Sequence, residues 1–216
     1  MPQAKIGVIG GTGLYDIEGM TDIEEVDINT PFGKPSGAIT IGKLGGVGIA
    51  FLPRHGKGHR ISPTEIPVRA NIYALKSLGV EHIIAINAVG SFRSEIKPGD
   101  LLIPDQLIDR TRNRVSSFFG EGIVAHIPFG NPCCPVLSQV LFEAARETGA
   151  SVHYRGTFVV MEGPAFSTRA ESRLHRSWGA DIIGMTALPE AIVTAPELIP
   201  AEQKKKLNLL IGRYIS

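Results

Sequence analysis

The chain has 216 residues, 43% hydrophobic and 20% charged, which suits a packed globular core and excludes an intrinsically disordered polymer. A formal net charge of +1 gives no electrostatic case for nucleic acid or an anionic membrane, so any anion site has to be local. The only cysteines, Cys133 and Cys134, are neighbours unsuited to a structural disulfide, no signal-peptide pattern opens the chain, and no run approaches the ~20 apolar residues of a membrane span. A soluble, cytoplasmic protein is expected.

In chain order, six short apolar runs read as strands: 5–9, 47–52, 82–87, 100–104, 156–162 and 181–185. Several are near-continuous in Ile, Val, Leu and Ala, as strands covered on both faces would be. Between them lie helical patterns at 64–78, 136–145 and 168–178, the first and third followed by a glycine, with a fourth at 200–211. Thr111 to Asn131 has mixed composition and reads as a long loop, of the kind that often serves a function or a partner. The alternation predicts an α/β fold: a single domain with a central mixed, largely parallel sheet flanked by helices. Lys204-Lys205-Lys206 reads as a solvated helix face.

The candidate chemistry sits where strands end. Strand 5–9 runs into Gly10-Gly11-Thr12-Gly13, whose backbone N–H groups and Thr12 hydroxyl suit a bound anion. It is not a dinucleotide fingerprint, because Tyr15 and Asp16 follow where the third glycine would be expected. Pro53-Arg54-His55-Gly56 follows strand 47–52. Arg54 suits a bidentate grip on phosphate, and His55 can donate to it or exchange a proton. The alternative is a surface pair in a turn. His55 and His59 have metal-ligand spacing, but Gly56 and Gly58 argue against the helix it needs, and no metal is expected. Asn87-Ala88-Val89-Gly90-Ser91 follows strand 82–87, and Met185-Thr186 ends strand 181–185. A parallel sheet would bring Thr12, Arg54, His55, Asn87, Ala88 and Thr186 to one edge. In Glu162-Gly-Pro-Ala-Phe166-Ser167-Thr168, Phe166 can stack on a base and Ser167 can bond its edge. A core Phe and a helix N-cap is the plainer reading of that stretch alone.

Taken together, Gly10–Leu14, Pro53–Gly56, Asn87–Ser91, Lys97-Pro-Gly-Asp100, Glu162–Ser172, Gly184-Met-Thr186 and Pro189-Glu190 resemble the trimeric purine nucleoside phosphorylases, and among them the methylthioadenosine phosphorylases. The resemblance runs from the start of the chain to about Ala191. It implies a phosphorolysis needing no metal or organic cofactor, with inorganic phosphate as co-substrate. Thr12, Arg54, His55, Asn87, Ala88 and Thr186 would hold phosphate, Met185 the ribose, and Phe166, Ser167 and Ile183 the base. His126 would reach a neighbouring subunit's pocket in a homotrimer or dimer of trimers. Ser167, where inosine and guanosine phosphorylases carry Glu, implies a 6-aminopurine such as 5′-methylthioadenosine. A 6-oxopurine or methylthioinosine enzyme is the alternative, and a non-catalytic phosphate- or nucleoside-binding or assembly subunit is the alternative of another class.

After Ala191 the resemblance breaks. The family continues with a helix and a strand ending in an Asp-rich motif that protonates the leaving purine. Here Ile192-Val-Thr-Ala-Pro-Glu197 follows at once, and no Asp occurs after Asp181. Residues 1–191 then form an incomplete phosphorylase domain and 192–216 a C-terminal segment with a helix. Glu197 is the only nearby acid, and no base-activating Asp is found. The expectation for these 216 residues is weak binding of phosphate or nucleoside and little or no turnover.

Overall fold

A computed structural model describes residues 4–11, 19–120 and 122–194. The expected helix at 200–211, Thr12 and Glu197 lie outside the described residues. The described chain is an α/β fold with mixed sheets, divided between two compact units, one holding 4–87 and 115–126, the other 88–114 and 127–194.

The first unit is built on a five-stranded sheet. Its strands are β1 (Ile6–Gly10), β2 (Thr21–Val26), β3 (Ile39–Leu44), β4 (Val47–Pro53) and β5 (His82–Ala85), in the order β2-β3-β4-β1-β5. β1 runs parallel to β4 and β5, while β2, β3 and β4 pair antiparallel. β3 was not among the expected strands; it joins β4 in a hairpin at Gly45 and Gly46, whose φ are both positive, 56° and 82°, as a two-residue hairpin turn demands. β2 (TDIEEV) is polar and exposed, so no apolar run announces it. β5 is the strand at one end of this sheet, and it is half-exposed rather than covered on both faces.

The predicted helix at 64–78 is two elements. A 3-10 turn covers Pro63–Glu65, and α1 covers Val68–Ser77. The break falls at Ile66, whose ψ of 122° is extended, because the ring of Pro67 disfavours helical geometry in the residue before it. α1 buries Val68, Ala70, Asn71, Ile72, Ala74 and Leu75, and Leu75 lies against Gly7 of β1; Ile9, Ile39, Ala50, Phe51 and Leu52 are buried in the sheet.

The second unit holds β6 (Gly90–Ser91), β7 (Leu101–Ile103), β8 (Gln106–Arg110), α2 (Pro135–Glu147), β9 (Val152–Tyr154), β10 (Thr157–Met161), α3 (Arg169–Ser177), β11 (Ile182–Gly184) and α4 (Ala187–Thr194). A four-stranded sheet has the order β6-β11-β10-β8, with β10 parallel to β8 and β11, and among the described residues β7 pairs only with β9. Its core is Phe158, Val160, Ile182 and Leu188. α3 begins at a full capping box: Thr168 Oγ1 accepts from Glu171 N–H, and Glu171 Oε2 accepts from Thr168 N–H. α4 was not expected from the sequence, because Pro189 breaks its pattern and Leu188 before it is extended. Between 111 and 131 no helix or strand is present among the described residues, as the loop reading expects. Among the described residues no helix is long and apolar enough to cross a membrane.

Candidate functional site

In the first unit, three strands deliver their C-terminal ends together. The register pairs Gly10 with Pro53 and Ile9 with Ala85. The ladder continues past the strands, with Arg54 N–H donating to Gly10 O at 2.9 Å and Ile86 N–H to Ile9 O at 2.9 Å. Arg54 is 1% exposed. Its guanidinium reaches from the end of β4 across β1 to β5, with Nη1 donating to Ile86 O at 2.7 Å and Nη2 to Ile9 O at 3.2 Å. Those acceptors are backbone carbonyl oxygens of β1 and of the residue following β5, and they fix the orientation of the group. Arg54 is therefore a buried cation at a sheet edge and no surface arginine in a turn.

His55 is also buried. Its Nδ1 lies 2.8 Å from Ile61 O. A carbonyl can only accept, so Nδ1 carries a proton and donates it there. The backbone wraps around this ring: Arg60 and Ile61 N–H both donate to His55 O. The His55 and His59 rings stack with centroids 4.2 Å apart. Among the described residues no cluster of three or more His, Cys, Asp or Glu forms a metal site. The loop is anchored from behind, since Ser36 Oγ donates to Pro53 O at 2.7 Å and Ser36 N–H to Asn71 Oδ1 at 2.8 Å. Asn87 follows two residues after β5, half-buried, with Nδ2 donating to Ala85 O. His126 is exposed. The structure thus brings Arg54, His55 and Asn87 to the edge where Gly10 ends β1.

The second unit has a corresponding edge at the ends of β10 and β11. Ile183 is in β11, and Met185 and Thr186 follow it; all three are half-buried. Ser167 Oγ contacts Met161 Sδ at 3.6 Å, so the loop after β10 folds back on the strand's end. Phe166 is 87% exposed. The plainer sequence reading put it in the core, whereas the structure presents a whole aromatic face to solvent beside Ser167. Thr168, and not Ser167, caps α3. Ala88 is exposed at the start of this unit. One parallel sheet was expected to carry all these residues; instead Thr186 follows a strand of the four-stranded sheet and Arg54 a strand of the five-stranded sheet.

Sequence reasoning missed Arg114. It lies in the long loop, its side chain is 3% exposed, and it donates to backbone carbonyls at the ends of both β10 and β11. Burial draws its pKa down, while Glu162 and Asp109 oppose the shift. A lone arginine in a polar loop carries no periodic signal. Asn71 was missed as well, masked by the apolar face of its helix. A separate cavity of about 530 Å³, lined among others by Arg93, Phe142, His153 and Asp181, lies at the N-terminal ends of β10 and β11, away from Met161 and Met185.

Residues 5–196 match the family model of the phosphorylase superfamily. The chain belongs to the phosphorylase superfamily. It is 59% identical over 191 residues to the S-methyl-5′-thioadenosine phosphorylase of Thermosynechococcus vestitus, a match covering 87% of this chain and 66% of that one. The crystal structure of a methylthioadenosine phosphorylase sourced from an antarctic soil metagenomic library superposes with a TM-score of 0.86 at 48% identity, over 92% of this chain and 73% of that one. Methylthioadenosine phosphorylase from Schistosoma mansoni in complex with tubercidin gives a TM-score of 0.82 at 38% identity, over 91% and 79% of the two chains. The chain spans a little under two thirds of the length of the first curated relatives it matches. In this superfamily member, then, backbone carbonyls hold Arg54 and His55 at the ends of the first sheet's strands, and Arg114 holds the backbone at the ends of β10 and β11.

Proposed function

We propose that the chain carries the phosphate- and nucleoside-holding parts of a pentosyltransferase. The reaction cleaves 5′-methylthioadenosine with inorganic phosphate, giving adenine and 5-methylthioribose 1-phosphate. The observation that carries this reading is Arg54: a buried guanidinium locked across the ends of β1, β4 and β5, with the His55 imidazole next to it. A fixed cation at that edge suits an oxyanion and spends no reorganisation at the moment of reaction. The names of the similar relatives support the substrate.

In this reading Thr12, Arg54, His55, the Asn87-Ala88 turn and Thr186 hold phosphate, and a phosphate oxygen bonds the anomeric carbon as the bond from that carbon to the purine breaks. The phosphate dianion supplies both nucleophile and counter-charge to the developing oxocarbenium. Met185 lies against the ribose. Phe166, already exposed, stacks on the base, and Ser167 meets its edge. No metal or organic cofactor enters. The departing purine takes a proton at N7, and the group to deliver it is not supplied by any Asp after Asp181. The assembly is a homotrimer or dimer of trimers in the cytoplasm, with His126 directed to a neighbour.

The test is phosphate-dependent adenine release, with methylthioadenosine, adenosine, inosine and guanosine compared and a longer relative assayed alongside. Preference for methylthioadenosine is expected, at a rate lower by about the 10²–10⁴-fold that a general acid contributes. Turnover equal to the relative's would refute the loss of the acid, and a preference for inosine would favour the 6-oxopurine reading. The second reading, a binding or assembly subunit, rests on the same missing Asp. Binding of both ligands with no phosphate-dependent release would favour it. Sedimentation of the purified chain tests the trimer.

A further inference from the structure

We infer that Arg114 is a positioning residue that sets the two nucleoside-facing segments, 161–168 and 183–188, in register with each other. The proposal rests on the reading above for what those segments bind. Arg114 sits in a stretch with neither helix nor strand, yet its side chain is 3% exposed. Its donors are spent on the chain's own backbone. Nη1 donates to Met185 O and to Leu188 O, the latter at 2.6 Å. Nη2 donates to Glu162 O at 2.6 Å and to Met161 O at 3.4 Å. Nε makes no hydrogen bond and lies 3.6 Å from Glu162 Oε2, an ion pair. Glu162 Oε2 in turn accepts from Arg112 N–H at 2.7 Å, which ties the loop back to the same place.

The acceptors come from the exit of β10, the exit of β11 and the first turn of α4. The planar fork of an arginine suits this; a lysine offers three donors from one point and cannot span such separated carbonyls. Two further contacts carry the effect to the residues assigned to substrate. Ser167 Oγ rests on Met161 Sδ, whose own carbonyl Arg114 holds. Gly163, at φ +73°, leaves no room for a Cβ, which would fall 2.6 Å from Met185 Sδ. The loop that presents Phe166 and Ser167 and the strand end that presents Met185 are therefore pinned to one guanidinium. Arg54 and His55 stand on a different sheet and make none of these bonds.

The experiment compares wild type, Arg114→Met and Arg114→Lys as full 216-residue chains. Calorimetry measures the binding of methylthioadenosine and of inorganic phosphate separately, and amide hydrogen exchange is followed by segment. Arg114→Met is expected to weaken nucleoside binding by about 10- to 100-fold, the scale of an ångström-level misplacement, with phosphate affinity changed by less than about 3-fold. Exchange should quicken in 161–168 and 183–190 but not in β1 or β4. Arg114→Lys should show the same split, smaller, and serves if the Met variant does not fold. Equal losses for both ligands, faster exchange throughout the chain, or no change in either segment would overturn the proposal. A wild-type chain that binds phosphate but no purine nucleoside would refute the substrate reading, and the exchange comparison would still decide the positioning role.

Discussion

Gly56 sets the shape of the Arg54-His55 loop, and replacing it by Ala separates two physical costs. Its φ of +68° lies in the left-handed region, where an L side chain costs about 1–2 kcal/mol. Its Cβ would also fall 2.8 Å from Ser36 O. That carbonyl cannot easily withdraw, because Ser36 donates to both Asn71 and Pro53. Overpacking of this kind adds about 1–3 kcal/mol. Gly58 is the internal control, since its φ is +83° but the nearest atom to its Cβ is Arg60 Cγ at 4.0 Å. Gly58→Ala should therefore cost only the conformational part, about 1–2 kcal/mol. With a slope near 2 kcal/mol per M, the two variants should differ in urea midpoint by about 0.5–1.5 M. Phosphate binding should weaken in Gly56→Ala, whose neighbour is His55, and hold in Gly58→Ala. Equal midpoints would refute the steric argument, and unchanged phosphate affinity in Gly56→Ala would refute the loop's assignment to the anion.

Other perturbations test the second unit. Thr168→Ala removes the N-cap bond to Glu171 and should cost about 1 kcal/mol, read as faster amide exchange in α3; no change would mean the capping box adds nothing. Burial and the nearby Arg110 lower the pKa of His175, with Glu171 opposing. The folded chain therefore binds fewer protons there than the unfolded chain, so stability rises with pH through the His range and is lost as pH falls below about 6.5. His175→Gln should flatten the melting-temperature profile between pH 5 and 7, and an unaltered slope would assign it to other groups. Ser167→Glu should shift nucleoside preference toward 6-oxopurines, measured as the ratio of inosine to methylthioadenosine affinity; an unmoved ratio would remove Ser167 from the base edge.

Much of the scaffold was readable because single stretches encode it. Residues 47–52 and 156–162 are apolar enough to demand burial, and β4 and β10 are buried. Gly79 and Gly179 marked helix ends correctly, each with positive φ and an N–H donating back to the helix. The misses share a cause. β2 is polar, β9 is three residues long, and the helix at 187–194 is interrupted by a proline, so each owes its form to partners distant in sequence. At the site, Arg54 and His55 were found because they follow a strand. Arg114 was not found, because its five-donor fork finds its acceptors about 47 to 74 residues away.

The sequence by itself determined the alternation of strands and helices, the glycine-bearing turns at strand ends and the identity of the groups placed there, since periodicity and side-chain chemistry are local properties. Tertiary structure alone decided that Arg54 is a buried clamp on three strands, that Phe166 faces outward, and that the site's strand ends belong to two sheets. Hydrogen bonds to backbone carbonyls and the exclusion of water depend on which distant segments meet, and no stretch of sequence records that meeting.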